Sequence, residues 1–196
     1  DVPGRGWSPV TVAEVPAHAV TPQMTEVDRI TETLEAAEIR ELSKDTFLVD
    51  MGKSVTGWTE VRFPALPEGE EIVLEYADHL DDKGQFVNQR QSDRYRTAGI
   101  GEEKFINKFN YHGYRYIRIA NLPQPPLSVK AHLIHTGYRT ASGFHCSDES
   151  LNAIHDMIQY TLRCLSLGGD LVDCPQIERL GYGGDGNAST PSAQTM

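Results

Sequence analysis

Trp58-Thr59-Glu60-Val61-Arg62-Phe63 is the stretch that decides the fold, because apolar and polar side chains alternate along it. A period of two puts one face of a β-strand in a core and the other in solvent. Similar short segments surround it, separated by turn signals such as Pro67, Gly69 and Asp81-Asp82-Lys83-Gly84. Strands are predicted at 47–49 (ending at Gly52), 58–63, 72–76, 93–96, 104–109, 116–119 and 129–134. The predicted fold class is therefore mainly β, with an antiparallel, jelly-roll-like β-sandwich over residues 46–137.

The segment before this sandwich, residues 1–45, differs from it because it is rich in Pro, Thr and Glu. We interpret it as a connector or as the remnant of an upstream domain. Within it, residues 30–42 are compatible with either a short helix or an irregular strand.

Residues 138–196 change character again and predict helices. Apolar side chains recur there at helical spacing, at Leu151, Ile154, Ile158, Leu162 and Leu165. Ser147 is the expected N-cap of this helix, Gly168-Gly169 its expected end, and Ala188 the expected start of another helix. One helix and a loop cannot bury a core, so this region must belong to something larger or lean on the sandwich.

Composition excludes several classes of function. The 196-residue chain carries a formal net charge of -10, which argues against nucleic acid and anionic membranes, because both require clustered Lys and Arg. Three cysteines without a CxxC pair are too few for a disulfide scaffold, and no apolar run approaches the roughly 18 residues that span a bilayer. His132 and His135 face opposite sides of a predicted strand, so neither a metal site nor a cofactor is predicted.

The chain opens at Asp1 without a signal peptide, and we expect an internal piece of a longer polypeptide, with no localisation or oligomeric state assigned.

The chemistry of the chain is concentrated in Asp173-Cys174-Pro175-Gln176-Ile177-Glu178-Arg179-Leu180-Gly181-Tyr182-Gly183-Gly184-Asp185-Gly186. Its proline and glycines disfavour a helix, which places its three carboxylates on a shaped loop. Glycoside cleavage needs a carboxylic acid that is still protonated near neutral pH, and neighbouring negative charge favours the protonated form. Glu178 is the candidate acid, with Asp173 and Asp185 as its neighbours. Arg179 would oppose this role of Glu178 if it points at Glu178, and it would order the loop if it pairs with an aspartate. The interpretation that competes with a catalytic Glu178 is a solvated acidic loop.

Two further motifs are weaker. Gly181-Tyr182-Gly183-Gly184-Asp185-Gly186 matches GxGxxG, but no apolar strand precedes it and Asp185 would repel a pyrophosphate, so a dinucleotide site is rejected. The aromatic run Phe109-Asn110-Tyr111-His112-Gly113-Tyr114-Arg115-Tyr116-Ile117 is more typical of packing in a sandwich than of stacking on a sugar.

The acidic stretch resembles a sequence run of the α-L-rhamnosidases of glycoside hydrolase family seventy-eight, whose members carry a DCPxRERLGWTGD-like run. Phe47-Leu48-Val49-Asp50-Met51-Gly52 through Gly57-Trp58 is similar to a hallmark of the β-sandwich that precedes the catalytic domain in that family, and so is the aromatic run 109–116. Gly143-Phe144-His145-Cys146-Ser147-Asp148 resembles the start of the catalytic domain. Together these motifs cover residues 20–196 in the family's order.

The resemblance implies that residues 138–196 are the N-terminal part of an (α/α)6 barrel, with its first helix and active-site loop. It also implies an inverting hydrolase that releases terminal α-L-rhamnose, with Glu178 as general acid and a glutamate base beyond this chain. Asp173 and Asp185 would hold rhamnose hydroxyls, and Arg179 would support the loop. Tyr182 would keep a stacking ring for the sugar where many members have tryptophan. The implied partner is a rhamnose-containing carbohydrate.

Two alternatives remain beside this hypothesis: the sandwich is a carbohydrate-binding module, or it only supports a barrel. Ile177 stands where the family usually has arginine, and nothing in these motifs specifies the aglycone or the linkage. Residues 138–196 are also too few for the twelve helices of a closed barrel. The chain alone is therefore predicted not to hydrolyse rhamnosides.

Overall fold

A computed structural model gives the structure of residues 9–14 and 19–195. Its main feature is one antiparallel sheet of eight strands. These are β1 Asp28–Glu35, β2 Glu38–Ser43, β3 Thr46–Phe63, β4 Glu71–Ala77, β5 Ser92–Arg96, β6 Glu103–Ile106, β7 His112–Ala120 and β8 Ser128–Thr136. The order along the sheet is β1-β8-β3-β7-β4-β5, while β2 and β6 also pair with β3. The prediction of a mainly β, antiparallel fold is confirmed.

The sheet curls around β3, which is 18 residues long. The first half of β3 pairs with β2, its second half pairs with β8 and β6, and β7 pairs with both halves. A register shift between Asp50 and Val55 separates the two halves, and Gly52 within it has a φ of 80° and donates its N–H to Asp50 Oδ1 at 2.7 Å. The prediction that the strand ends at Gly52 is wrong, because this irregularity lets the chain bend and continue.

Both halves of the sheet bury their apolar side chains in one core. Fully buried members come from four strands: Val49, Val61, Ile72, Leu74, Ile117, Ile119 and Ala131. Buried and half-buried residues alternate along most of β4, which contains the predicted strand 72–76. The strands predicted at 93–96, 116–119 and 129–134 also lie within observed strands, whereas β6 ends at Ile106 instead of residue 109.

Residues 28–43 belong to this sheet and do not form a connector. β1 pairs with β8, and β2 pairs with β3. All six residues of β2 are exposed, so backbone hydrogen bonds rather than apolar burial hold this strand. A strand of this kind lacks the alternation that reveals strands in a sequence. Residues 1–8 and 15–18 of the predicted connector lie outside the described residues.

Two helices, α1 Glu149–Leu165 and α2 Gly183–Thr195, follow the sheet. Asp148 rather than Ser147 caps α1, because the Asp148 carboxylate accepts a hydrogen bond from the Ser150 N–H at 2.8 Å. Gly168-Gly169 does not end α1 but forms the turn of a hairpin between β9 Ser166–Leu167 and β10 Asp170–Leu171, with φ values of 65° and 83°. α2 begins at Gly183 instead of Ala188, so Asp185 lies in its first turn, where the helix dipole favours an acid, and not on a loop.

The chain after the sheet packs on it through a second, smaller cluster. Three buried residues meet three half-buried ones there: Ile134, Leu167 and Val172 against Trp58, Tyr111 and Leu165. Tyr160 of α1 adds a hydrogen bond from its hydroxyl to the carbonyl of Ser54 at 2.7 Å. In the described ranges no helix has both the length and the apolar character to cross a membrane. The boundary between residues 137 and 138, and the barrel itself, stay predictions, whereas β1 and β2 extend the sheet to residue 28, before the predicted boundary at 46.

Candidate functional site

The acidic stretch begins with a compact loop, residues 173–181, that its own backbone closes. The Asp173 N–H donates to the Leu180 carbonyl at 3.0 Å. Inside the loop the Cys174 carbonyl accepts from the Arg179 N–H at 3.1 Å, and the Cys174 Sγ accepts from the Glu178 N–H at 3.3 Å. Cys174 therefore organises the loop through both its carbonyl and its thiol.

Both carboxylate oxygens of Asp173 are engaged within the same loop. Oδ2 accepts from the Cys174 thiol at 2.8 Å, and Oδ1 accepts from the Leu180 N–H at 3.0 Å. The hydrogen bond from Cys174 lowers the pKa of Asp173 below its ordinary value, and the Leu180 N–H acts in the same direction. Asp173 is thus an ionised group that holds the loop closed.

Glu178 is exposed, and its Oε2 accepts a hydrogen bond from the Tyr182 hydroxyl at 2.7 Å. This hydrogen bond raises the pKa of Tyr182, because it stabilises the protonated phenol beside a carboxylate. Two of the predicted site residues are therefore in direct contact. Within the part of the chain that the structure describes, Tyr182 rather than an aspartate is the side chain hydrogen-bonded to Glu178.

Arg179 points to the sheet. Its Nη1 donates to the Tyr111 carbonyl at 2.8 Å and to Asn110 Oδ1 at 3.1 Å, and its guanidinium lies 5.7 Å from the centroid of the Tyr111 ring. Its backbone has a φ of 61°, which is uncommon for a residue with a side chain. The sequence left two arrangements open, pairing with Glu178 or pairing with an aspartate, and the observed arrangement is a third. Arg179 ties the loop to the turn between β6 and β7.

Gly113, on β7, forms a second contact between loop and sheet. A Cβ atom at position 113 would lie 2.8 Å from the carbonyl carbon of Pro175 and 2.9 Å from the nitrogen of Gln176, so only glycine allows this approach. The Gln91 side chain forms two hydrogen bonds with the Gly113 backbone: its Nε2 donates to the Gly113 carbonyl at 2.9 Å, and its Oε1 accepts from the Gly113 N–H at 3.0 Å. Neither Gly113 nor Gln91 was predicted from the sequence to be part of the site. A glycine inside an aromatic strand was the available signal for the first of them.

A buried polar cluster lies next to Gly113. Asp93 Oδ2 accepts the Tyr76 hydroxyl at 2.8 Å and lies 3.0 Å from His112 Nε2, while the Tyr76 and His112 rings stack with centroids 4.1 Å apart. His112 and Tyr114 are buried, as expected for an aromatic run that packs in a sheet, whereas Phe109 is fully exposed.

Asp185 is exposed, and its N–H donates to the Tyr182 carbonyl at 3.1 Å. A cavity of about 440 Å³ lies between residues 138–141, α1, the β9–β10 hairpin and α2, with Arg139, Arg163 and Asp170 in its lining. Glu178 is not part of that lining, so the cavity and the acidic loop are separate features. The described residues contain no group of three or more His, Cys, Asp or Glu side chains that could hold a metal ion.

Comparison with known proteins relates this arrangement to one family. Residues 40–135 match the bacterial alpha-L-rhamnosidase concanavalin-like domain, and residues 139–196 match the bacterial alpha-L-rhamnosidase 6 hairpin glycosidase domain. The alpha-L-rhamnosidase of Streptomyces avermitilis is 29% identical over 198 residues, which cover 96% of this chain and 19% of that protein. The alpha-L-rhamnosidase of Alteromonas sp. is 27% identical over 189 residues, with 91% of this chain and 20% of that protein covered. The chain thus spans about a fifth of the length of these relatives.

Solved structures give the same relationship. The alpha-L-rhamnosidase from Dictyoglumus thermophilum matches with a TM-score of 0.85 and 29% identity, over 93% of this chain and 22% of that chain. The Streptomyces avermitilis enzyme, complexed with L-rhamnose, matches with a TM-score of 0.80 and 29% identity, over 89% of this chain and 18% of that chain. An antiparallel sheet, followed by residues that match a glycosidase domain, defines a part of a glycoside hydrolase. More specifically, the chain belongs to the bacterial α-L-rhamnosidases of glycoside hydrolase family seventy-eight.

Proposed function

We propose that this chain is part of an inverting α-L-rhamnosidase in which Glu178 is the general acid. The observation that carries the proposal is the match of residues 139–196 to a glycosidase domain, because Glu178 lies exposed on a shaped loop within that match. The relatives named above are α-L-rhamnosidases, and one of their structures is complexed with L-rhamnose, which supports a rhamnose-containing carbohydrate as substrate. Residues 138–196 would open an (α/α)6 barrel, and the base would come from a later part of the polypeptide.

Inversion uses two carboxyl groups on opposite faces of the sugar, about 6.5–9.5 Å apart, so that a water molecule fits between the base and the sugar. Glu178 would give its proton to the glycosidic oxygen as the bond to the anomeric carbon breaks, while the base takes a proton from the attacking water. The carboxylate left on Glu178 would keep the hydrogen bond from the Tyr182 hydroxyl, 2.7 Å from its Oε2. That bond stabilises the charge that the step creates.

The other site residues divide into two groups. Asp185 and Tyr182 are exposed, and we assign them to the sugar, with the Asp185 carboxylate accepting from rhamnose hydroxyls and the Tyr182 ring stacking on a sugar face. Asp173 can meet a sugar hydroxyl only with the lone pairs that Cys174 and Leu180 leave free. The Arg179 guanidinium donates hydrogen bonds to Asn110 and Tyr111, so we assign Arg179 the role of holding the loop.

Glu178→Gln in the full-length protein that contains this chain tests the proposal. Glutamine keeps the shape of the side chain but cannot donate the proton, so kcat for an alkyl rhamnoside should fall by about 10²- to 10⁴-fold. Binding of rhamnose should persist. A 2,4-dinitrophenyl rhamnoside has a leaving group that needs no proton, so its hydrolysis should fall far less.

Glu41→Gln makes the same chemical change on the exposed strand β2 and should leave both rates unchanged. Undiminished turnover of the alkyl rhamnoside by Glu178→Gln would refute the assignment. The alternative, a carbohydrate-binding or barrel-supporting sheet without a catalytic role for this loop, would then account better for the chain.

A further inference from the structure

The acidic loop meets the sheet at two points that flank the candidate acid. On one side of Glu178 the backbone of Pro175 lies against Gly113. On the other side Arg179 donates to Asn110 and Tyr111, 69 and 68 residues away in sequence. We call Asn110, Tyr111 and Gly113 together the loop seat.

One member of the loop seat, Gly113, is fixed by the core of the sheet. Gly113 pairs with Thr56 on β3. Gln91, which is only 2% exposed, is hydrogen-bonded to both the N–H and the carbonyl of Gly113. Its neighbour His112 is 1% exposed and is held by the Tyr76 ring and the Asp93 carboxylate. Gly113 can therefore move only if the strands move, and Asn110 and Tyr111 directly precede β7 in the β6–β7 turn.

The loop itself has no such core. Ile177, Glu178 and Leu180 are exposed, and the loop depends on its own hydrogen bonds and on the seat. A proton donor has to stand within hydrogen-bonding distance of the leaving oxygen, and a misplacement of about 1 Å can cost 10²-fold in rate.

We propose that the loop seat is a positioning device for the general acid: the sheet fixes where Glu178 stands relative to the glycosidic oxygen. This inference rests on the proposed role of Glu178. Asn110, Tyr111 and Gly113 are positioning residues, because they act through Arg179 and the Pro175 backbone and not on the substrate.

Two variants of the full-length protein test the seat. In Gly113→Ala the new methyl group meets the backbone at Pro175, which cannot rotate away as a flexible side chain would, so the loop must shift. We expect kcat for an alkyl rhamnoside to fall by about 10- to 100-fold, with a smaller change in KM. In Asn110→Ala the seat loses one acceptor at an exposed position, and the expected fall in kcat is about 3- to 10-fold.

The leaving group separates a positioning role from a general loss of structure. Hydrolysis of 2,4-dinitrophenyl rhamnoside needs no general acid, so both variants should retain most of this activity. Hydrogen exchange of the full-length variants gives a second measurement: the loop amides of residues 174 and 176–180 should exchange faster in both variants, while core strands β3 and β4 stay protected.

Matched controls exist for both substitutions. Gly143→Ala adds the same methyl group where no heavy atom lies within 4 Å of it, and it should change neither substrate's rate. Asn110→Asp keeps the acceptor for Arg179 and should restore most of the activity that Asn110→Ala loses.

The outcomes distinguish the two proposals. If Glu178→Gln shows the selective loss on the alkyl substrate but Gly113→Ala and Asn110→Ala do not, the seat has no positioning role. Equal losses on both substrates in the seat variants would mean that it is only structural. If Glu178→Gln itself shows no selective loss, the proposed function fails, whatever the seat variants do.

Discussion

The buried cluster of Asp93, Tyr76 and His112 supports a quantitative prediction for Asp93→Ala. Asp93 Oδ2 is the acceptor for the Tyr76 hydroxyl at 2.8 Å and the partner of His112 Nε2 at 3.0 Å. Tyr76 is fully buried and His112 is 1% exposed, so water cannot replace the lost partner of either group without opening the core. Alanine at position 93 therefore leaves two polar groups buried and unpaired.

The magnitude follows from those two groups. Each buried donor that loses its partner costs about 1–3 kcal/mol, so the pair costs about 2–6 kcal/mol. The Asp93 side chain is 15% exposed, and release of its own partial burial offsets a small share. We expect the free energy of unfolding to fall by about 2–5 kcal/mol, a large part of the 5–15 kcal/mol typical of a domain.

Urea unfolding of the present chain at pH 7, followed by the fluorescence of its tryptophans, measures this change. The midpoint should fall while the dependence on urea concentration stays the same. Asp82→Ala removes an exposed aspartate and should change stability by less than about 0.5 kcal/mol. Adding Tyr76→Phe to Asp93→Ala removes the orphaned hydroxyl, so the double variant should be less destabilised than the sum of the single variants. A loss below about 1 kcal/mol for Asp93→Ala would refute the reasoning about unpaired groups.

Three further predictions concern pH, the loop and activity. Burial by itself raises the pKa of Asp93, but the hydrogen bond and charge of His112 and the hydrogen bond from Tyr76 outweigh it and hold the pKa below the ordinary 3.8. This stabilisation is present above pH 3.8 and is lost as the pH falls through the lower pKa of the folded state. The free energy of unfolding of the unchanged chain should therefore fall more steeply with decreasing pH than that of the Asp93→Asn variant; equal slopes would contradict this. Cys174→Ala removes the thiol that accepts the Glu178 N–H. The Glu178 amide hydrogen should therefore exchange about 3-fold faster or more, and unchanged exchange would show that the thiol does not organise the loop. The present chain spans about a fifth of its relatives' length, and we expect it alone to show no turnover of an aryl rhamnoside in a fluorogenic assay; robust turnover would place the base within these 196 residues.

The strands that the sequence predicted best are those that bury one face. Along 59–63 and 72–76 every second side chain is buried, and except for Thr59 these buried side chains are apolar or aromatic. β2 has no buried residue, so no periodicity marks it, and only its backbone pairing with β3 makes it a strand. The full length of β3 could not be predicted from the sequence for a related reason. Gly52 normally indicates an end, but here it accommodates an irregularity within one strand.

The acidic loop was predicted from its composition, but its contacts were not. Proline and glycine content indicates a loop, and the loop from 173 to 181 is observed, although Asp185 belongs to α2. Contacts between residues about 70 positions apart leave no local pattern, so neither the Arg179–Tyr111 hydrogen bond nor the approach of Pro175 to Gly113 could be derived from one sequence. Such contacts depend on the fold as a whole, which brings the β6–β7 turn beneath the loop.

The position of Arg179 has an electrostatic consequence for the proposed acid. A guanidinium beside a carboxyl group favours the ionised form, and an ionised Glu178 could not donate a proton. Arg179 follows Glu178 directly in the sequence, yet its Nη1 is bound to the Tyr111 carbonyl and to Asn110. The side chain bonded to Glu178 is instead the neutral Tyr182 hydroxyl, which can donate to the carboxylate or accept from the carboxylic acid. In the proposed mechanism the loop seat would therefore have two contacts to offer the loop, one that holds the Arg179 guanidinium at the β6–β7 turn and one that seats the Pro175 backbone against Gly113.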